Sequence, residues 1–238
     1  MGKNVLIIGA SGDIGCSIAE RLSAEGYQLI LHYNQNRPVL DKLREKLDDS
    51  NILSVIQADL SKENQIKEFI SHLVFPVDAI IFASGKAHFG LFQETAEQVM
   101  DEMLNLHVKA PWMITKAMLP GMIHNKFGKI IFISSIWGDV GASYEVIYSS
   151  VKGAQNSFVK ALAKEVAPSG VSVNGISPGY IDTKMNSHLT EEEKLAIYAE
   201  IPMNRAGTAD EIAHVTSFLL DKRSNYIQGD IINVTGGW

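Results

Sequence analysis

A tyrosine and a lysine four residues apart, Tyr148 and Lys152, stand at the head of a long helical pattern. Residues at i and i+4 share one face of a helix. A neighbouring ammonium favours the phenolate, so this spacing predicts that Lys152 lowers the tyrosine pKa from its usual value of about 10. Ser135 lies thirteen residues before the tyrosine, just after the apolar run 130–133. A hydroxyl delivered there by a strand end can hold a carbonyl oxygen beside the phenol. The three side chains together make a tuned proton donor. Ser134 faces the other way along the strand end, which leaves Ser135 as the candidate.

Such a donor needs a hydride and a substrate brought to it. Residues 5–8 form a short apolar run, followed by Gly9-Ala-Ser-Gly-Asp-Ile-Gly15 and then helical periodicity at Ile14, Ile18 and Leu22. Glycines in a strand–turn–helix context let backbone approach a pyrophosphate, and the helix N-terminus favours the anion. This predicts a dinucleotide site. Asp59, after a third strand at 53–56, can accept from an adenine amino group; alternatively it caps the next helix, a role Ser61 fills better. Further strands are expected at 29–31, 77–82, 130–133, 171–176 and 230–234. Helices are expected at 39–47, 66–73, 95–107, 109–126, 148–167 and 209–220, and residues 182–201 are polar and helical in places. Strands alternating with helices predict an α/β fold with a parallel sheet covered on both faces and ligands at the strand ends.

The bulk properties set limits. With 238 residues, 46% of them apolar, the chain can bury a full core as one domain. Its net charge of −6 argues against nucleic acid as a general partner, and the alternating charges at 42–46 read as a solvated helix face. One cysteine, Cys16, permits no intrachain disulfide, which suits a reducing cytoplasm, and it reads as a buried structural thiol. The N-terminus runs directly into a strand, leaving no room for a signal peptide, and Leu6 stands where a myristoylation motif needs Ser or Thr. No apolar run approaches the roughly 20 residues of a membrane span. No metal site is expected.

The motifs together resemble the classical short-chain dehydrogenase/reductase family, and within it the 3-oxoacyl-acyl-carrier-protein reductase-like branch. The match runs end to end: the glycine turn, Asp59-Leu60, Ser135, Tyr148-x-x-x-Lys152, Pro178-Gly-Tyr-Ile-Asp-Thr183 and a terminal Asn-Val-Thr-Gly-Gly. The resemblance implies one doubly wound Rossmann domain over 1–238, with a seven-stranded parallel sheet and a substrate lid at about 184–205. It implies that Ser135 holds a substrate carbonyl and Tyr148 exchanges the proton. Lys152 would bind the nicotinamide ribose and depress the tyrosine pKa. Cofactor contacts would come from Gly9, Ser11, Asp13, Ile14, Gly15, Asp59, Leu60, Ala83, Ser84, Gly85, Pro178, Gly179, Ile181 and Thr183, along with Tyr148 and Lys152.

Three positions depart from the family pattern. Asp13 replaces the middle glycine of the turn and is unfavourable near a phosphate unless it points away. Ala83-Ser84-Gly85 replaces Asn-Ala-Gly. His107 aligns with the family's catalytic Asn, which holds a water relaying protons to the lysine. His107 is either a member of that relay or a structural helix histidine; in the first role it would add a pH dependence near 6–7, around the ordinary His pKa.

At the end of strand two Tyr33 takes the place of the carboxylate that binds the ribose 2′-OH in NAD-preferring members. With Asn34 and Arg37 available for a 2′-phosphate, NADP(H) is favoured over NAD(H). The expected reaction is NADPH-dependent reduction of a ketone, 3-oxoacyl-thioester-like, free or carrier-bound. An alternative is a protein-linked ketone, because the His-Tyr and Leu-His-Val-Lys-Ala-Pro stretches resemble elongation factor P 5-aminopentanone reductases. A different class, a non-enzymatic dinucleotide sensor or scaffold, usually loses the Tyr or Lys that are present here. In carrier-using reductases two basic positions flank the site; Lys126 matches one and Ser169 stands at the other. Met185, Leu189, Leu195, Ile197, Tyr198 and Met203 in the lid, with His88, Phe89, Trp137, Tyr144 and Tyr180, suggest a partly aromatic substrate pocket. Family members are commonly tetramers, and Ala154, Phe158, Ala161 and Ala163 suit packing of the long helix across a dyad.

Overall fold

Short runs of Val, Ile and Leu without internal alternation fit strands buried on both faces, and the structure, a computed structural model describing residues 4–187 and 189–238, places them so. The chain runs β1 (Asn4–Ile8), α1 (Asp13–Ala24), β2 (Gln28–Tyr33), α2 (Arg37–Arg44), β3 (Ile52–Gln57), α3 (Glu63–Ser71), β4 (Ala79–Phe82) and α4 (Glu97–Leu104). It continues with α5 (Ala110–His124), β5 (Gly128–Ile133), α6 (Trp137–Val140), α7 (Val146–Val166), β6 (Val171–Pro178), α8 (Glu191–Glu200), α9 (Ala209–Leu220) and β7 (Ile231–Val234).

The seven strands form one parallel sheet in the order β3-β2-β1-β4-β5-β6-β7. Within β1 the period of two splits the core: Val5 and Ile7 face Ile18, Leu22 and Ile212 from α1 and α9, while Leu6 and Ile8 face Phe69, Ile114 and Val159 from α3, α5 and α7. Strand order reverses between β1 and β4, which opens a crevice at the carboxyl ends of the strands.

Several expectations need correction. The two helical patterns at 95–126 are one helical rod. Its joint, Asn105–Lys109, is a π turn in which Ala110 N–H donates to the Asn105 carbonyl five residues back. Pro111 brings no N–H to the carbonyl four residues back, that of His107, which accepts from Gln155 Nε2 at 2.8 Å instead. The cap of α3 is Lys62 rather than Ser61; Asp59 instead closes a local turn, its Oδ1 accepting from Ser61 N–H at 3.0 Å and from the Ser61 hydroxyl at 2.6 Å. Ala163 faces the core, not an outer surface; of the four residues proposed for a dyad Ala161 is exposed, and Ala154 and Phe158 are half-buried. Segment 184–205 holds a short 3₁₀ turn at Lys184–Asn186 and then α8, whose start is fixed by a capping box between Thr190 and Glu193; position 188 of it, like residues 1–3 of the N-terminal reading, lies outside the described residues. Among the described residues no helix is long and apolar enough to cross a membrane.

Candidate active site

The cleft lies at the carboxyl ends of β1 to β6 and encloses about 850 Å³. Its first wall is the glycine turn. Gly9 sits at φ 89° against the Ser84 backbone, and a side chain on Gly15 would run into the Gly9 carbonyl. Both positions therefore require glycine. Helix α1 starts at this turn with no side-chain cap, so its first amides remain for an anion. The Asp13 carboxylate would repel that anion, but it is engaged across the cleft, where its Oδ2 accepts from Lys184 N–H at 2.6 Å. The uncapped helix start and the tight turn fit the pyrophosphate of a dinucleotide.

The opposite end of the cleft is formed by β5 and α7. Ser135, at the end of β5, accepts from Trp137 N–H at 3.2 Å, and its hydroxyl shares the end of the cleft with the Tyr148 phenol. Ser134 points into α7, donating to Asn156 Oδ1 at 2.6 Å. The two serines thus have separate partners, as the sequence suggests. Lys152 is buried and donates to the Ile133 carbonyl at 2.8 Å, and its Nζ lies 5.6 Å from the Tyr148 ring centroid.

Their protonation differs from expectation. Burial pushes the Tyr148 phenol up to about 12; the nearby Ser135 hydroxyl opposes this and the Glu145 charge adds to it. Lys152 does not lower it, because burial brings the lysine itself down to about 7 and leaves the ammonium little favoured. The phenol therefore holds its proton at neutral pH.

His107 sits behind this pair, its ring edge-on to Tyr148 at 5.9 Å. Burial and the Lys152 charge push it down to about 3, so it stays neutral and adds no titration near 6–7, contrary to the ordinary value assumed from sequence. Its Nε2 lies 3.3 Å from Lys86 N and 3.1 Å from Lys86 O. Its carbonyl, inside the π turn, accepts from Gln155 Nε2 at 2.8 Å. Two buried atoms of this group, His107 Nδ1 and Gln155 Oε1, have no hydrogen-bond partner.

Of the expected cofactor residues, most line the cleft, including Ser11, Asp59, Leu60, Ala83, Ser84, Gly85, Pro178, Gly179, Ile181 and Thr183. Gly15 packs beneath the turn. Tyr33 and Arg37 do not line the cleft; Arg37 is tied to Asp41 at 2.8 Å and to the Tyr33 hydroxyl at 3.3 Å, while Asn34, Gln35 and Asn36 face inward. Of the expected pocket residues only Phe89 and Met185 reach the cleft. Tyr180 packs on Tyr198, and Trp137 on Trp238. Lys126 and Ser169 precede β5 and β6, so in one chain they lie at the sheet edge opposite the cleft and do not flank it. Sequence reasoning missed His32, Lys86 and Gln155. Only His32 carried a signal, a histidine on the inward register of an otherwise apolar strand.

A family model described as Enoyl-(Acyl carrier protein) reductase matches residues 9–238. The Bacillus subtilis protein named uncharacterized oxidoreductase YmfI is 50% identical, covering 100% of this chain and 99% of its own. The 3-oxoacyl-acyl-carrier-protein reductase FabG of Aquifex aeolicus is 32% identical, over 99% and 97% of the two chains. Among solved structures, a Brucella melitensis short-chain dehydrogenase/reductase superposes with a TM-score of 0.89 at 28% identity, covering 99% of this chain and 96% of that one. An Agrobacterium tumefaciens structure with bound NADP gives 0.90 at 27% identity, covering 100% and 96%.

Proposed function

The chain belongs to the short-chain dehydrogenase/reductase family and is an oxidoreductase, and from that premise we propose that it reduces a ketone to a hydroxyl with NADPH. The observation that carries this reading is the meeting of Ser135, Tyr148 and Lys152 at one end of the cleft, with a phenol that keeps its proton at neutral pH. A protonated phenol is ready to give, which suits reduction. Ser135 and Tyr148 hold the carbonyl oxygen, and Tyr148 delivers the proton to it. The nicotinamide supplies the hydride when bound. Lys152 holds its ribose and carries the replacement proton towards the phenol. His107 stands next in that relay, and its unpartnered Nδ1, with Gln155 Oε1, suits a bridging water.

Gly9, Ser11, Ile14 and Gly15 would hold the pyrophosphate, with Asp13 acting on the lid rather than the anion. Asp59 and Leu60 take the adenine; Ala83, Ser84 and Gly85 pass beneath; Pro178, Gly179, Ile181 and Thr183 close the nicotinamide end. NADP(H) is favoured because Asn34, Gln35 and Asn36 present no carboxylate to a 2′-phosphate. Arg37 joins them by leaving Asp41. Segment 184–205 is the substrate lid, and the exposed Leu104 and Trp112 on α4 and α5 suit a homotetramer packed on its central helices.

A 3-oxoacyl thioester is the first candidate substrate. A ketone carried on a protein is the second reading, favoured by a wide mouth: Phe89 and Met185 line the cleft yet remain 52% and 44% exposed. The test follows NADPH and NADH oxidation with free acetoacetyl thioester, its carrier-bound form and a protein bearing a ketone on lysine. Faster turnover with NADH removes the cofactor assignment. Equal rates for free and macromolecular ketones remove both carrier readings, and no turnover of any ketone by the wild type, with Tyr148→Phe equal to it, removes the reaction.

A further inference from the structure

His32 lies near the end of β2, beneath the glycine turn, and is buried. Its Nδ1 lies 3.1 Å from Gly9 N–H. A backbone N–H only donates, so Nδ1 carries no proton and Nε2 carries the one the neutral ring has. Nε2 in turn lies 3.0 Å from the Ala58 carbonyl, which only accepts. The two contacts select one neutral tautomer. The same residue's carbonyl accepts from Ala10 N–H at 2.8 Å, and Phe69 packs edge-on at 5.1 Å.

One side chain thus ties the turn after β1 to the end of β3, across β2. Asn34 and Asp59, which follow β2 and β3, line the same end of the cleft, as does His32. We propose that His32 is the positioning residue for the adenosine half of the dinucleotide: by clamping Gly9 to Ala58 it sets the spacing of the two turns and hence cofactor affinity, with no part in the transfer of hydride or proton. The inference rests on dinucleotide binding in this cleft and is independent of which ketone is reduced. Its protonation state agrees, since burial pushes the ring down to about 4 and the Ala58 and Asp59 contributions only partly oppose this.

An apolar residue in place of His32 fills the space but leaves the half-buried Gly9 N–H and the buried Ala58 carbonyl without this partner. An asparagine places its Oδ1 where Nδ1 stands and keeps the Gly9 bond. The experiment titrates NADPH and NADH by fluorescence into wild type, His32→Asn and His32→Leu, and measures kcat and ketone KM at saturating cofactor. It also reads the His32 ring nitrogens of the wild type by ¹⁵N NMR. Expected are dissociation constants raised about tenfold in His32→Leu and less than about threefold in His32→Asn, as one or both bonds are lost. Expected too are kcat and ketone KM within about twofold of wild type and an unprotonated Nδ1 at pH 7. Unchanged NADPH affinity in His32→Leu overturns the inference. So does a kcat that falls with affinity, or a protonated Nδ1. If His32→Leu does not fold, His32→Asn and the ring nitrogens still decide. Failure of the wild type to bind either dinucleotide overturns instead the reading of the cleft, and the inference with it.

Discussion

The two ends of the cleft are each backed by a buried neutral histidine, and the two are unlike. At the end beneath the glycine turn both ring nitrogens of His32 meet backbone partners of opposite kind. At the reacting end His107 meets one loop through Nε2 while Nδ1 meets nothing. A buried polar group with every atom matched builds structure; one with an atom left over marks a place where something else is handled. The first joins two turns, and the second keeps one ring nitrogen open for the proposed proton relay.

The largest break in this contrast comes from the end that does chemistry. Tyr148→Phe should lower kcat by about 10²–10⁴, the usual worth of a positioned proton donor, while fluorescence titration shows NADPH affinity intact. A comparable loss of cofactor affinity would mean that the two ends are not separable. Lys152→Met should also abolish turnover, yet raise the thermal midpoint, by about 2–4 °C per kcal/mol of relieved burial cost. The unfolded lysine keeps its proton to near 10.5 and the folded one loses it near 7. The unfolded state therefore binds more protons between those values, and wild-type stability climbs with pH across them on this account. Denaturant titrations of wild type and variant at pH 7 and pH 9 check the sign.

His107 sharpens the contrast directly. His107→Phe should lower kcat about tenfold with cofactor affinity unchanged, and His107→Asn should recover most of it, because an amide can hold a relay water. Loss of NADPH affinity in place of rate would make the second histidine another clamp. Acid titration then treats the two together. Both rings take up a proton near 6.5 when unfolded but only at about 4 and about 3 when folded. Stability falls as pH drops below about 6.5, by of the order of 2 kcal/mol per histidine between pH 7.5 and pH 5. Urea midpoints at those two pH values should show it. The smallest effect is expected at Asp13: Asp13→Ala removes one bond to Lys184 and should raise ketone KM about threefold, with NADPH affinity unchanged or improved.

Much of this was legible in the sequence where a residue's role is set by its neighbours along the chain. The turn from Gly9 to Gly15, the shared face of Tyr148 and Lys152 and the opposed directions of Ser134 and Ser135 are all local consequences of period and turn geometry. The α/β alternation carried the sheet for the same reason. What was not legible depends on distant partners. Asp13 finds the backbone of Lys184 only once the segment after β6 meets the first turn, and His32 finds Gly9 and Ala58 only once β1, β2 and β3 lie side by side. The i, i+4 spacing placed Lys152 beside Tyr148 but not its Nζ, which turns to Ile133 and is stripped of water there. Lys126 shows the reverse case, since its position relative to the cleft follows from strand direction and not from sequence proximity to Ser135.

The wide turn between α4 and α5 has a consequence of its own. A rod wound at a regular pitch would close its ladder with one residue fewer than Asn105–Lys109 contains. Removing one residue there would mend the winding while turning everything on one side of the cut by roughly 100°. His107 would then lose either Lys86 or Gln155. Here a shorter and more regular chain would be the defective one, so the surplus residue acts as the spacer that sets the register of the reacting end.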